Sequence, residues 1–157
     1  MVLTHARALL TGTLTSYIDA DLHDPDRILA AAAQTLDLTR PVALILMNIL
    51  GHVPEASDAR RIVARLMSAL PPGSHLVVAD GTNVIRGDEF EAAIAVWNAS
   101  GSLPYHLRTP DQILEIIGDL DLLEPGIVPC PRWRPDTDDP AALREVDEFG
   151  LVARKRA

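Results

Sequence analysis

Cysteine is nearly absent from this chain. Cys130 stands alone among 157 residues, which excludes an intrachain disulfide and any cysteine-rich metal site. The histidines, at 5, 23, 52, 75 and 106, show no pairing at helix-turn spacing, so no metal site is expected. Aromatic residues make up only 4%, and Leu, Ile, Val and Ala must fill the core. Positive charge is also short: 14 Lys and Arg face 22 Asp and Glu, a formal net charge of -8. Phosphate backbones need clustered cations, so no nucleic-acid partner is expected. The one basic cluster, Arg154-Lys155-Arg156, reads as a solubilising tail. The longest apolar run, Val42 to Met47, is far too short to cross a bilayer, and the N-terminus lacks the pattern of a signal peptide. Neither a G-x-S-x-G elbow nor a G-x-x-x-x-G-K phosphate loop occurs. A cytoplasmic protein with no membrane partner is the expectation.

What is present suits one globular domain over 1–157. The mass is 17.0 kDa, with 48% hydrophobic and 23% charged residues, enough to bury a proper core. The chain opens directly on a helix-like run over 2–11, stopped by Gly12, with no strand or glycine-rich turn before it. Thr13 to Ala20 reads as a strand. Asp24-Pro25 reads as a cap and first position of a helix reaching about Thr35. Val42 to Met47 is apolar without alternation, as in a strand covered by helices on both faces. Ser57 or Asp58 can cap the next helix, which runs through Leu70 to the stop at Pro71-Pro72-Gly73. His75 to Asp80 is a second buried strand. Helices are expected over 87–99, with Phe90, Ile94 and Trp97 on one face, and from Thr109-Pro110 to near Gly118. Leu120 to Val128 reads as a strand interrupted at Pro125-Gly126, Pro129 to Ala142 as a loop, and Phe149 to Lys155 as a last strand. Strands alternating with helices imply a mainly parallel sheet with right-handed crossovers.

In such sheets ligands bind beyond the carboxyl ends of the strands. Three ends carry polar residues: Asp19 to Pro25, Asn48 to Pro54, and Asp80 to Asn83. Asp24 reads as a helix cap. Asp21 can cap a turn, or it can accept a hydrogen bond from an exocyclic amine such as adenine's while Leu22 packs on the ring. Asn48 can hold a cofactor group or simply satisfy backbone at the strand end. His52 can serve as a general base near neutral pH, or be a structural loop histidine. Cys130, between two prolines, reads as an incidental thiol. Trp133 is either a packing plug or part of a substrate mouth.

The ordered set His5-Ala6-Arg7-Ala8-Leu9-Leu10, Tyr17-Ile18-Asp19-Ala20-Asp21-Leu22 with Asp24-Pro25, and Arg40-Pro41-Val42-Ala43-Leu44 resembles a bacterial, actinobacterial-type S-adenosylmethionine-dependent methyltransferase family. His52-Val53-Pro54, Leu70-Pro71-Pro72-Gly73-Ser74, His106-Leu107-Arg108, Glu124-Pro125-Gly126 and Arg132-Trp133-Arg134-Pro135 extend the resemblance over nearly the whole chain. It implies an α/β fold of the class I methyltransferase (Rossmann-like) type, strand order 3-2-1-4-5-7-6 with the seventh antiparallel, and S-adenosylmethionine as cofactor. Asp21 and Leu22 then match the adenine-side loop, and Asn48 and Ile49 the segment after the fourth strand. His52 falls where such enzymes approach the methyl acceptor, here expected to be a small molecule. The family's glycine-rich turn and acid-ended second strand have no counterpart in the chain, which is expected to start just after that strand. The strand at 13–20 would then pair with 42–47, join a second chain in a homodimer, or stay loose. Methyl transfer is the leading expectation. A non-catalytic domain that binds a ligand or a partner is the alternative.

Overall fold

The computed structural model describes residues 15–157, so the helix expected over 2–11 lies outside the described residues. Four helices, α1 (Pro25–Ala32), α2 (Ala56–Ser68), α3 (Gly87–Ala99) and α4 (Pro110–Ile117), accompany five strands: β1 (Ala43–Met47), β2 (His75–Gly81), β3 (Asp121–Leu122), β4 (Val128–Pro129) and β5 (Glu148–Arg154). Short 3-10 turns cover Leu50–His52 and Cys130–Arg132.

The helix starts follow from their capping residues. Asp24 accepts a hydrogen bond from the Arg27 amide at 3.1 Å, with Pro25 next to it, although α1 ends at Ala32 rather than near Thr35. Thr109 and Gln112 form a reciprocal capping box around Pro110, and α4 stops at Gly118, whose φ is 64°. Helix α2 departs from expectation. It begins at Ala56, with Glu55 at the cap position and no side-chain bond, so Ser57 and Asp58 sit inside its first turn. Asp58 instead pairs with Arg61 at 2.8 Å.

Strand order is β1-β2-β5-β3, with β4 also on β5. β1 and β2 are parallel, Ala43 opposite His75 and Met47 opposite Ala79. β5 is antiparallel to β2, β3 and β4, so every other described strand runs one way and β5 alone runs against them. Only one neighbouring pair is parallel because β5 inserts between β2 and β3. This is the 4-5-7-6 part of the expected order. The stretch expected as one strand over 120–128 splits into β3 and β4 around Gly126, at φ 88°.

Residues 15–20 form no strand, which corrects the expectation for 13–20 where it falls on described residues. A strand needs a ladder partner, and among the described residues this segment has none. It is tied to α1 instead, the Arg27 guanidinium donating to the Asp19 carbonyl at 3.0 Å. β1 likewise pairs only with β2 among the described residues, and Ile45 and Met47 are 56% and 55% exposed. Its apolar run therefore has one open face rather than two covered ones.

The core lies on the other face. Leu46 and Leu76 from the sheet meet Ile62, Val63 and Leu66 of α2 and Ile113 and Ile116 of α4, all buried. No described helix is long and apolar enough to cross a membrane. Lys155 secures the end of α2: its ammonium donates to the carbonyls of Met67 (2.9 Å), Ser68 (3.2 Å) and Leu70 (2.5 Å) at and just beyond the last turn. Lys155→Ala is expected to lower stability by about 1–2 kcal/mol in urea denaturation, as loss of charge-assisted bonds to a helix end would do. An unchanged midpoint would mean water serves those carbonyls equally well.

Candidate active site

The site grows from the ends of β1 and β2. Asn48 follows β1 with φ 50°, a left-handed conformation that asparagine tolerates, and its amide donates to the Ala79 carbonyl at 2.8 Å. Its side-chain amide donates to Glu148 Oε1 at 2.9 Å, and its Oδ1 lies 3.3 Å from the Tyr105 hydroxyl. That hydroxyl is the hub. It accepts from the Gly81 amide at 2.9 Å and donates to the Asp80 carboxylate. Burial raises the Asp80 pKa from 3.8 to about 6, against the opposing pull of the Gly81 amide and the Arg108 charge. Burial also raises the Glu148 pKa, with the Asn48 amide opposing it.

The 3-10 turn carrying His52 is clamped from two sides. Arg108, buried, donates from one guanidinium nitrogen to the Leu50 carbonyl at 2.8 Å and from the other to Val53 and Pro54. Gly51 packs against the Tyr105 ring so closely that a Cβ there would lie 2.4 Å from ring carbons, and only glycine fits. His52 meets Tyr105 edge-on, centroids 5.2 Å apart at 88°. Its Nδ1 is 2.8 Å from the Pro104 carbonyl, which can only accept, so Nδ1 carries the proton. In the neutral ring Nε2 then holds the free lone pair, as an oriented general base requires.

Two cavities flank this histidine. One, of about 280 Å³, is lined by Asn48, His52, Gly81, Phe90, Ile94, Trp97 and Tyr105 and is almost wholly apolar. The other, of about 450 Å³, is lined by Asp19 to His23, Ile49, His52, Val53 and Leu103. Asp21, Leu22 and Ile49 thus share one cleft, Asn48 lies in its neighbour, and His52 borders both. Asp21 also has a local role, its Oδ1 accepting from the His23 amide at 2.9 Å and lying 2.9 Å from His23 Nδ1. These bonds hold its carboxyl below the usual range.

Sequence reasoning missed Tyr105, Arg108 as a clamp, Glu148 and Asp147. Asp147 is buried and accepts from the Ile85 amide at 2.8 Å and the Arg86 amide at 2.7 Å, pinning the start of α3. Nothing local marks it. Tyr105 had a signal, as one of two tyrosines, set between Pro104 and His106. Cys130 is half-buried, and burial pushes its thiol up. Trp133 lines neither cavity; the Arg134 guanidinium stacks 4.9 Å from its ring centroid. Among the described residues no group of three or more His, Cys, Asp and Glu could hold a metal ion.

Because the folded-state pKa of Asp80 lies above its ordinary value, the folded protein binds more protons between pH 3.8 and about 6. Stability therefore falls as pH rises through that window, by at most about 3 kcal/mol. Asp80→Asn keeps an oxygen for Tyr105 and Gly81 but removes the charge. Denaturation followed from pH 4 to 7 should show a flatter profile for the variant and no loss of stability at pH 7. A parallel profile would move the titration elsewhere, Glu148 first.

The S-adenosyl methyltransferase family matches residues 1–156. A DUF574 family protein from Streptomyces avermitilis is 40% identical with a TM-score of 0.87, over 98% of this chain and 61% of that one. A Thermobifida fusca protein assigned as a methyltransferase is 30% identical with a TM-score of 0.82, over 99% and 60%. This chain therefore spans about three fifths of the length of these relatives. Human N-acetylserotonin methyltransferase, solved in complex with SAM, shares the fold at 12% identity and a TM-score of 0.57, over 99% and 38%. No curated protein matches the chain. Strand order, family match and structural likeness agree: the chain belongs to the S-adenosyl methyltransferase family.

Proposed function

We propose that this chain takes part in S-adenosylmethionine-dependent methyl transfer to a small-molecule acceptor, with His52 as the general base between cofactor and acceptor. The observation that carries this reading is the position of His52 on the border of two cavities, its tautomer set by the Pro104 carbonyl. The larger cleft suits the adenosyl group. Leu22, Ile49 and Val53 offer apolar walls for a ring, and the exposed Asp21 carboxylate at the rim can accept from an exocyclic amine. S-adenosylmethionine, when bound, supplies an electrophilic sulfonium methyl group. The chain's own task is positioning. Asp21, Leu22 and Ile49 hold the adenine end, Asn48 fixes the strand end beside the acceptor, and His52 Nε2 receives the acceptor's proton.

A second reading, a partner-binding domain that transfers no methyl group, draws on the edge of β1 that has no partner among the described residues. Ile45 and Met47 are exposed there, and an unpaired edge can add a strand from a second copy. Sedimentation should then show a concentration-dependent dimer that Ile45→Lys dissolves. A monomer at all concentrations counts against it.

Calorimetric titration of S-adenosylhomocysteine tests the main reading. Binding is expected, weakened roughly tenfold by Asp21→Ala with little change in melting temperature, as for an exposed ligand contact. Equal loss of affinity and thermal stability would assign Asp21 to its turn alone. His52→Gln should keep that affinity while lowering turnover by about 10²–10⁴. Unchanged turnover would remove His52 from the chemistry.

A further inference from the structure

Helix α3 sets Phe90, Ile94 and Trp97 along one face, yet buries none of its residues. Such a stripe ordinarily gains its stability by packing on a core. Here all three side chains line the 280 Å³ cavity, opposite Gly81, Tyr105, Asn48 and His52. The helix is fastened at its ends rather than along its length. Asp147 takes the amides of Ile85 and Arg86 before it. Near its close, Asn98 accepts from the Tyr105 amide at 2.8 Å and donates to the Tyr105 carbonyl at 3.0 Å, while the Trp97 indole N–H donates to the Leu103 carbonyl at 3.0 Å. The helix bridges the cavity with Phe90 and Ile94 half-buried and Trp97 half-exposed along its wall.

The polar groups at the cavity wall are mostly committed. The Asn48 amide is taken by Glu148, and the Tyr105 hydroxyl by Gly81 and Asp80. His52 Nε2 is the basic nitrogen left at the wall to take up a ligand proton. No Asp, Glu, Lys or Arg lines the cavity, so an ionic ligand would lose its hydration there without a countercharge.

We propose that this cavity is the acceptor pocket and that it takes an uncharged, flat aromatic alcohol, held among Phe90, Trp97 and Tyr105 with its hydroxyl at His52 Nε2. This rests on the reading of His52 and the adjoining cleft given above. Aromatic walls favour a flat π-system over an aliphatic one of equal area. A phenolic hydroxyl, with a pKa of about 10, is also far easier for an imidazole to deprotonate than an aliphatic one. In the step itself the acceptor oxygen forms a bond to the methyl carbon as the carbon–sulfur bond breaks. The electron pair of that bond stays on sulfur, and the hydroxyl proton passes to His52 Nε2. Aryl methyl ether, thioether and protonated imidazole balance phenol, sulfonium and neutral imidazole.

Calorimetry with 2-naphthol, against 2-naphthoate, 2-naphthylmethylammonium and cyclohexylmethanol, tests this in the chain alone. 2-Naphthol is expected to bind at least tenfold tighter than each of the other three. Ile94→Trp should abolish that binding by filling the cavity, and Phe90→Ala should weaken it about tenfold. Phe90 and Ile94 are only half-buried, so both variants are expected to stay folded, which thermal melting checks. Equal or tighter binding of the anion, the ammonium or the aliphatic alcohol would overturn the proposal, as would undiminished naphthol binding by a folded Ile94→Trp protein. Titrating S-adenosylhomocysteine into the same samples separates the two readings. Naphthol binding without it supports the pocket and removes the cofactor cleft, whereas S-adenosylhomocysteine binding without naphthol binding removes the pocket alone.

Discussion

A single buried hydroxyl joins the ends of the two parallel strands. Tyr105 takes the Gly81 amide and the Asp80 carboxylate from β2, and comes within 3.3 Å of the Asn48 oxygen after β1. Without it, the buried Asp80 carboxylate would keep the Gly81 amide at 3.2 Å but lose its side-chain donor, and burying a polar group short of partners is expensive. The ring has room only because Gly51 lacks a side chain. Moving the ring would release the edge of His52, which rests on it. The hydroxyl has one proton to give. When Asp80 is ionised the proton goes to the carboxylate. When Asp80 carries its own proton, the tyrosine is free to donate to Asn48.

Two further buried charges serve as clamps rather than as chemistry. Arg108 gathers carbonyls from the turn before α2, and Asp147 gathers amides from the turn before α3. The signs match the backbone groups that each turn leaves over, carbonyls to a cation and amides to an anion. Loops at strand ends carry ligand sites because they sit outside the ladder, and for the same reason they need fastening. Here it comes from distant sequence, 108 acting on 50–54 and 147 acting on 82–86.

That distance explains what the sequence could and could not disclose. Asp24-Pro25, Thr109-Pro110 and Gly118 act on neighbours within a turn, so helix ends were legible there. The start of α2 was not, because its cap position makes no side-chain bond at all. Val42 to Met47 announced a strand through its composition, but composition does not say which faces are covered, and β1 keeps one open. Asp21, Leu22 and Ile49 share one cleft although only Ile49 follows a strand, since 15–20 forms none. Asp147 acts across 61 to 65 positions and makes no local pattern. The insertion of β5 between β2 and β3 is set by a ladder of the same long range, and only the family resemblance anticipated it.

The polar work of the site is turned inward, and this shapes what it can select. Asn48, Asp80, Tyr105 and Glu148 bond one another, not the cavity, so the cavity wall offers shape and aromatic faces with one basic nitrogen. A pocket built this way discriminates weakly between apolar ligands that differ by a methylene, since each is worth only about 1–3 kcal/mol. It discriminates strongly against charge, because nothing in the wall can replace water around an ion. Selectivity by exclusion also explains the placement of His52. His52 Nε2 is the basic nitrogen at the wall, so it is the group there able to take up a ligand proton.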